Sequence, residues 1–348
     1  MLRALLSFAG RHGPLMLFTG VFVGLLAPNL AASARPLMGA AVFVLTLGAF
    51  LKVDKDALRL DLARPGRLLW LPLWIALGVP LLTWALLSVL PLPDGTKVGM
   101  LLCMLALPVG SAAAIAAMLG LNPAMALSAT LVVSLLCPFI LPPAALALGA
   151  IALHMDAGAL MLRLALLVGG AATVAAALRR WAGGWVESNP HAMTGVSVLG
   201  LIVGAMGAMH GMQAQWLQHG QDMALNMVLA FALNAGFQWL GTVLFAPLGR
   251  TVALTAGLLS GNRNVSLVWV AAMPWLAGLP GAELYFAASV FPIFMLPLPL
   301  ARLLAWQQQR NSSLHRFDRQ RCEMPVAPVA DCPQTAYAAP TTGTQRKP

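Results

Sequence analysis

Ten long apolar segments follow one another through the first 306 residues of the chain, and short connections separate them. A helix needs about 20 apolar residues to cross the hydrocarbon core of a bilayer. Only 9% of the residues are charged, whereas a soluble domain has about 25%. The sequence therefore predicts an all-α polytopic protein of the lipid bilayer, with transmembrane helices over residues 14–33, 36–51, 68–90, 98–119, 123–148, 158–178, 192–212, 222–247, 251–275 and 282–306.

Lysine and arginine residues concentrate on one predicted side of the bilayer. With the N-terminus placed inside, 17 of the 21 basic residues fall inside, and only Arg35 and Lys97 fall outside. Basic residues favour the cytoplasmic side, so both termini are predicted to be cytoplasmic. The net charge of +10 then reflects membrane anchoring rather than nucleic-acid binding. Compact loops and an Ala/Leu/Arg-rich composition indicate a bacterial inner membrane.

The segments divide into two sets of five, over residues 14–148 and 158–306. A cytoplasmic lead-in, 1–13, precedes them, and a polar tail, 307–348, is predicted to be disordered. Because each set has an odd number of segments, the sets have opposite orientations and form an inverted repeat. The fourth segment of each set is interrupted, by Leu107-Pro-Val-Gly-Ser-Ala-Ala-Ala114 and by Ser260-Gly-Asn-Arg-Asn-Val265. Matched interruptions indicate a transport site, although Gly and Pro are also generally more common in membrane helices.

Arg263 lies near the middle of the ninth segment. It follows the start of that segment by twelve residues, which corresponds to a depth of about 18 Å along a helix. A charged side chain at that depth is costly and is by default a functional hypothesis. All eleven acidic residues of the chain lie in loops, at segment ends or in the tail. No protein carboxylate is therefore predicted to pair with Arg263.

Four motifs resemble the bile acid:sodium symporter family, and the resemblance covers residues 14–306. They are Pro108-Val-Gly-Ser-Ala-Ala-Ala-Ile115, Asn122-Pro-Ala-Met-Ala-Leu-Ser128, Pro138-Phe-Ile-Leu-Pro-Pro143 and Gly261-Asn-Arg-Asn264. The resemblance implies ten helices in an inverted repeat. It also implies that the fourth and ninth helices unwind and cross at the substrate site, inside a core domain that moves against a panel domain.

The chain departs from the family at the sodium ligands that the resemblance implies. Ala113 and Ala114 stand at the Ser-Asn pair, Leu259 at the glutamate, Arg263 at the glutamine and about Val132 at one of two hydroxyls. A hard cation prefers several oxygen ligands, including a carboxylate, so the departures argue against sodium coupling through the family's site. The possible ion-binding residues that remain are Ser128, Thr130 and Ser134. No other metal and no cofactor is predicted.

In the crossing geometry that the resemblance implies, the second half of each interrupted helix presents its N-terminus at mid-depth. Such an end carries partial positive charge and free N–H groups, and Ser111 and Asn264 are the expected caps. Together with the Arg263 guanidinium, these ends favour a carboxylate, sulfonate or phosphate group. The predicted residues that bind a small anionic solute are Arg263, Asn262, Asn264, Gly261, Ser111, Gly110, Asn234 and Gln238.

Each of these assignments has a structural alternative. Arg263 can instead cap carbonyl groups at the end of the first half of its broken helix. Asn234 and Gln238, four residues apart on one face, can join helices rather than line a cavity. The hydroxyls of the fifth segment can bond to carbonyls of their own helix.

The predicted function is that of a secondary transporter of a small organic anion by alternating access. No nucleotide-binding loop, zinc-ligand pair or Ser/His/Asp constellation appears at mid-depth, so an enzyme is not predicted. The alternative is a transporter-like solute sensor or interaction protein without coupled transport. The substrate, the coupling mode and the oligomeric state stay open at this point.

Overall fold

The computed structural model describes residues 6, 8, 13–52, 70–148, 155–276, 278–297 and 300. The tail 307–348 and most of the lead-in lie outside these residues. The described chain is all-helical, and its helices are α1 Gly13–Leu26, α2 Pro28–Leu51, α3 Trp70–Val89, α4 Asp94–Leu105, α5 Ala112–Met118, α6 Pro123–Ala147, α7 Ala157–Ser188, α8 Pro190–Ala208, α9 Met212–Gln218, α10 Gly220–Leu244, α11 Arg250–Gly261, α12 Val265–Leu276 and α13 Pro280–Met295.

Six helical segments of the described chain are long and apolar enough to cross a membrane. They are α2, α3, α6, α7, α10 and the stretch Pro190–Gln218, which contains α8 and α9. The other predicted segments correspond to the 14-residue α1, the 16-residue α13 and two pairs of short helices. These helices indicate a membrane protein. The inverted repeat with core and panel domains stays a prediction.

Both predicted interruptions are present. α4 ends at Leu105, and α5 begins only at Ala112, because Ala106 is extended and Pro108 has no N–H to continue a helical ladder. α11 ends at Gly261, and Asn262 is likewise extended. Each segment is therefore two short helices joined by a few non-helical residues.

The boundary between the first two predicted segments was wrong. The first helix ends at Leu26 instead of residue 33, and a new helix begins at Pro28. Proline favours the first helical position because its missing N–H is not needed there. A 3-10 turn at Arg35–Leu37 marks the place where the sequence suggested a loop.

The helices α10 and α11 approach closely through small residues. Gly257 and Gly261 lie four apart on α11, which places them on one face. A Cβ at Gly257 would lie closer than 3.0 Å to the Thr242 hydroxyl and to the carbonyl oxygen of Gln238. Spaced small residues of this kind let two membrane helices bring their backbones together.

Arg35 links α2 to the helices α12 and α13. Its Nη2 lies 3.3 Å from Oε1 of Glu283, at the start of α13. Its guanidinium carbon also lies 4.8 Å from the ring centre of the buried Trp269, on α12. The Trp269 ring in turn packs against Phe286 with a centroid distance of 5.7 Å.

We expect Arg35→Glu and Glu283→Arg each to lower the thermal midpoint in detergent by the few degrees that about 1 kcal/mol produces. The effect is modest because the two side chains are 23% and 37% exposed. The double exchange should recover the part that belongs to the ion pair, whereas the cation–π contact of Arg35 should stay lost. Lys97→Glu is the matched control, because the described residues give Lys97 no carboxylate partner. An equal loss in Lys97→Glu would contradict this account.

Candidate functional site

The two interruptions cross and hydrogen-bond to each other. The N–H of Val109 donates to the carbonyl of Asn262 at 3.0 Å, and the N–H of Asn264 donates to the carbonyl of Leu107 at 2.7 Å. Pro108 and Arg263 thereby face each other as an isolated antiparallel pair. Backbone groups inside a bilayer must find partners within the protein. Each interruption supplies partners that the other needs.

Arg263 is almost fully buried at this crossing, with 1% exposure. Its Nε donates to the carbonyl of Ser260 at 3.0 Å, and its Nη1 donates to those of Ile75 at 3.2 Å and Ala106 at 3.1 Å. The three carbonyls belong to the last turn of α11, to α3 and to the residue after α4. Helix C-termini carry partial negative charge. The carbonyls of Ser260 and Ala106 lie at such ends, and together with the mid-helix carbonyl of Ile75 they surround the guanidinium where a carboxylate would be expected.

Each of these carbonyls lacks the N–H that an α-helix would give it. In a continuous helix the Asn264 N–H would donate to the carbonyl of Ser260, but here it donates to the carbonyl of Leu107. The chain after Ala106 leaves the helix. At Ile75 a π-helical turn, Trp74–Gly78, diverts the Val79 N–H to Trp74.

The next candidate donor to the Ile75 carbonyl would be Pro80, five residues on in the π pattern, and it has no N–H. Arg263 thus donates to carbonyls of three segments that have no helical N–H partner. These are the contacts expected if Arg263 caps carbonyl groups at a helix break. The Nη2 of Arg263 is buried and has no hydrogen-bond partner among the described residues. The guanidinium group therefore keeps N–H donors that the bonds to backbone carbonyls do not use.

The amides of α10 join that helix to the α11 interruption. The Nδ2 of Asn234 donates to the carbonyl of Gly261 at 3.0 Å and to Oδ1 of Asn262 at 3.2 Å. Gln238 donates to Oδ1 of Asn234 at 2.6 Å. Asn264 caps α12 as expected, because its Oδ1 accepts from the Leu267 N–H at 3.3 Å. The bonds of Asn234 and Gln238 are those expected if the α10 amides join two helices.

Ser111 does not cap α5, so the expectation that it does was wrong. Its hydroxyl is buried and has no hydrogen-bond partner. The N–H of Ala112 bonds instead to the carbonyl of Val109 in a tight turn. A Cβ added at the neighbouring Gly110 would lie 3.4 Å from the Leu45 side chain of α2.

The hydroxyls of α6 are buried, as an ion site would require. Ser134 Oγ donates to the carbonyl of Thr130 at 2.6 Å, which is the back-bond expected as an alternative. The Thr130 hydroxyl has no hydrogen-bond partner. Ser128 lies on the same helix. Among the described residues, no three His, Cys, Asp or Glu side chains group in a way that could hold a metal.

A narrow crevice borders the crossing on the side of α13. The gaps between its atoms and the open space at its mouth together amount to about 180 Å³, and the crevice is too narrow to hold a water molecule. Three of the predicted site residues line it, namely Asn234, Gly261 and Arg263. The crevice lining does not include Gly110, Ser111, Ser128, Thr130 or Ser134.

The sequence did not predict the other polar residues that line this crevice, which are Cys103, Tyr285 and Ser289. Tyr285 is fully buried, and its hydroxyl has no hydrogen-bond partner. Tyr285 is one of only two tyrosines in the chain. A lone phenol within an apolar segment was the available signal, because buried tyrosine hydroxyls usually have partners.

No family model matches the chain, and no curated protein matches it. The resemblance to the bile acid:sodium symporter family therefore rests on the four motifs quoted above.

Proposed function

We propose that the chain is a secondary transporter of small organic anions, in which Arg263 is a fixed cation at the substrate site. The observation that carries the proposal is the bonding of Arg263. A buried guanidinium is held by three backbone carbonyls at the crossing of two interrupted helices, and one of its nitrogens has no partner. Among the residues that the structure describes, no carboxylate bonds to Arg263.

The crossing supports a transport role on physical grounds. Interrupted helices place non-helical backbone, with its dipoles, in the middle of a membrane protein, and transporters use such places to hold solutes. The motif resemblance supports the same role and adds alternating access, with a core domain moving against a panel domain. The two segments of the chain that meet at Pro108 and Arg263 run in opposite directions, as two matching helices of an inverted repeat would.

The carbonyls around Arg263 support a transporter that needs no sodium at this position. Backbone carbonyls that converge on one point are typical ligands of a hard cation. Here the guanidinium takes three of them at 3.0–3.2 Å. A permanent charge in the chain would do electrostatically what a bound ion does in a symporter, so uptake would not follow a sodium gradient.

Proteoliposome uptake tests this proposal. We expect uptake of at least one of the radiolabelled carboxylates pyruvate, benzoate and cholate, at the same rate whether sodium or choline is the external cation. Empty liposomes and the thermally inactivated protein set the background. Uptake that requires a sodium gradient would overturn the fixed-cation proposal. Saturable binding of a carboxylate without any flux would instead favour the solute sensor.

A further inference from the structure

Two buried polar groups of the crevice residues have no partner in the described structure. They are Nη2 of Arg263 and the hydroxyl of Tyr285, and their residues are 1% and 0% exposed. Buried donors are almost always satisfied, so each exception requires an explanation. Both residues line the same crevice. One acceptor group placed there could satisfy both.

The composition of the walls defines the chemistry of that acceptor. The polar wall residues include Arg263, Tyr285 and Asn234, and the described wall contains no Asp or Glu. The remaining walls are mostly apolar and include Met104, Ala230, Pro292 and Ile293. Such a surface suits an anionic head on an apolar body.

One wall of the crevice belongs to a helix that contains a proline. Pro292 lies inside α13, where proline removes one backbone hydrogen bond and weakens the turn before it. Tyr285 lies two turns before Pro292 on the same helix. A bend of α13 at Pro292 would move the wall that carries Tyr285 and so change the width of the crevice.

We propose that this crevice, bounded by α4, α10, α11 and α13, is the pocket for the anionic head of the solute. Arg263 Nη2 and the Tyr285 hydroxyl donate to one carboxylate or sulfonate, and the apolar body lies toward Pro292 and Ile293. This assignment rests on the proposed function, because it names the part of the site that receives the substrate.

Cys103 provides a natural reporter, since it lines the crevice and is buried. In a Cys137→Ser/Cys322→Ser/Cys332→Ser background, its thiolate can attack a methanethiosulfonate reagent, which forms a mixed disulfide and releases methanesulfinate. The anionic sulfonatoethyl reagent and the cationic trimethylammonioethyl reagent are compared by mass spectrometry in proteoliposomes. We expect the anionic reagent to react roughly tenfold faster, because fixed positive charge concentrates anions.

Three comparisons sharpen this measurement. Benzoate should slow the modification of Cys103, whereas equal concentrations of neutral benzamide should not. Arg263→Gln should remove the preference for the anionic reagent, whereas Arg163→Gln should keep it. Tyr285→Phe should weaken protection by benzoate. In the reciprocal protein that keeps only Cys137, which is also buried but lies outside the crevice lining, no charge preference is expected.

The outcomes separate this inference from the transport proposal. Charge preference and benzoate protection without uptake would support the pocket and contradict transport. Uptake of carboxylates by a protein whose Cys103 is never modified would contradict the pocket and leave transport standing. Equal rates for both reagents, or protection by benzamide as well as benzoate, would also overturn the pocket.

Discussion

Arg263→Gln is expected to reduce carboxylate uptake by about 100-fold, the factor that corresponds to losing about 2.7 kcal/mol of binding to an anion. The variant removes the positive charge and the bonds to Ser260, Ile75 and Ala106 together. Carbonyls left without donors cost about 1–3 kcal/mol each, and removal of a buried charge returns part of that cost. We expect a net destabilisation of about 3 kcal/mol.

Arg263→Lys separates the two effects. It keeps the charge but replaces the planar fork with a compact ammonium group, which cannot reach the same spread of carbonyls. We expect partial uptake, above that of the glutamine variant, with a lowered thermal midpoint. Arg163→Gln is the matched control, since Arg163 is an arginine of the apolar segments whose guanidinium carbon lies 6.0 Å from the Trp275 ring centre, and it does not line the crevice. A properly folded Arg263→Gln protein with full uptake would show that Arg263 is a structural cap only.

Gly257→Val is expected to destabilise the protein by about 3 kcal/mol, at the upper end of overpacking effects. The new side chain would collide with the Thr242 hydroxyl and with the backbone carbonyl of Gln238. The Thr242 hydroxyl is itself bonded to that carbonyl at 2.8 Å, so the two cannot move apart independently. Separation of α10 from α11 would also misplace Asn234. The measurement is the thermal midpoint and the monodisperse fraction after detergent extraction.

Gly236→Ala is the matched control on α10. A Cβ at Gly236 would meet no atom within 4 Å, and alanine favours a helix over glycine by about 1 kcal/mol. This variant should therefore be neutral or slightly more stable. If both variants behave alike, close packing of α10 on α11 is not what Gly257 provides.

The interruptions could be predicted because polar and glycine residues stand inside long apolar runs. Glycine alone is common in membrane helices, but an arginine at mid-depth is costly, and the structure brings the two runs together. The cap of α12 by Asn264 also follows from local chemistry. These features depend on residues close in sequence.

The partners of Arg263 could not be predicted, because they are backbone groups. Every residue has a backbone carbonyl, and the side chains of Ile75 and Ala106 do not indicate that their carbonyls lack a helical N–H partner. The signal lies in neighbouring prolines and in a π turn, whose consequence is visible only in three dimensions. Ser111 shows the opposite kind of error. Its residue type suits a helix cap, but its side chain makes no capping bond, because the Ala112 N–H already bonds to the carbonyl of Val109.

Two of the Arg263 partners, the carbonyls of Ile75 in α3 and of Ala106 just after α4, come early in the chain, which has a consequence for biogenesis. Synthesis proceeds from the N-terminus, so residues 70–106 reach the membrane long before Arg263 leaves the ribosome. An arginine entering lipid alone would cost about 2.5–3.5 kcal/mol even by insertion scales. Two of its three acceptors, the carbonyls of Ile75 and Ala106, precede it by more than 150 residues, and the third, that of Ser260, lies on its own segment. In a bilayer, this order would make two carbonyl partners available before the charged residue arrives.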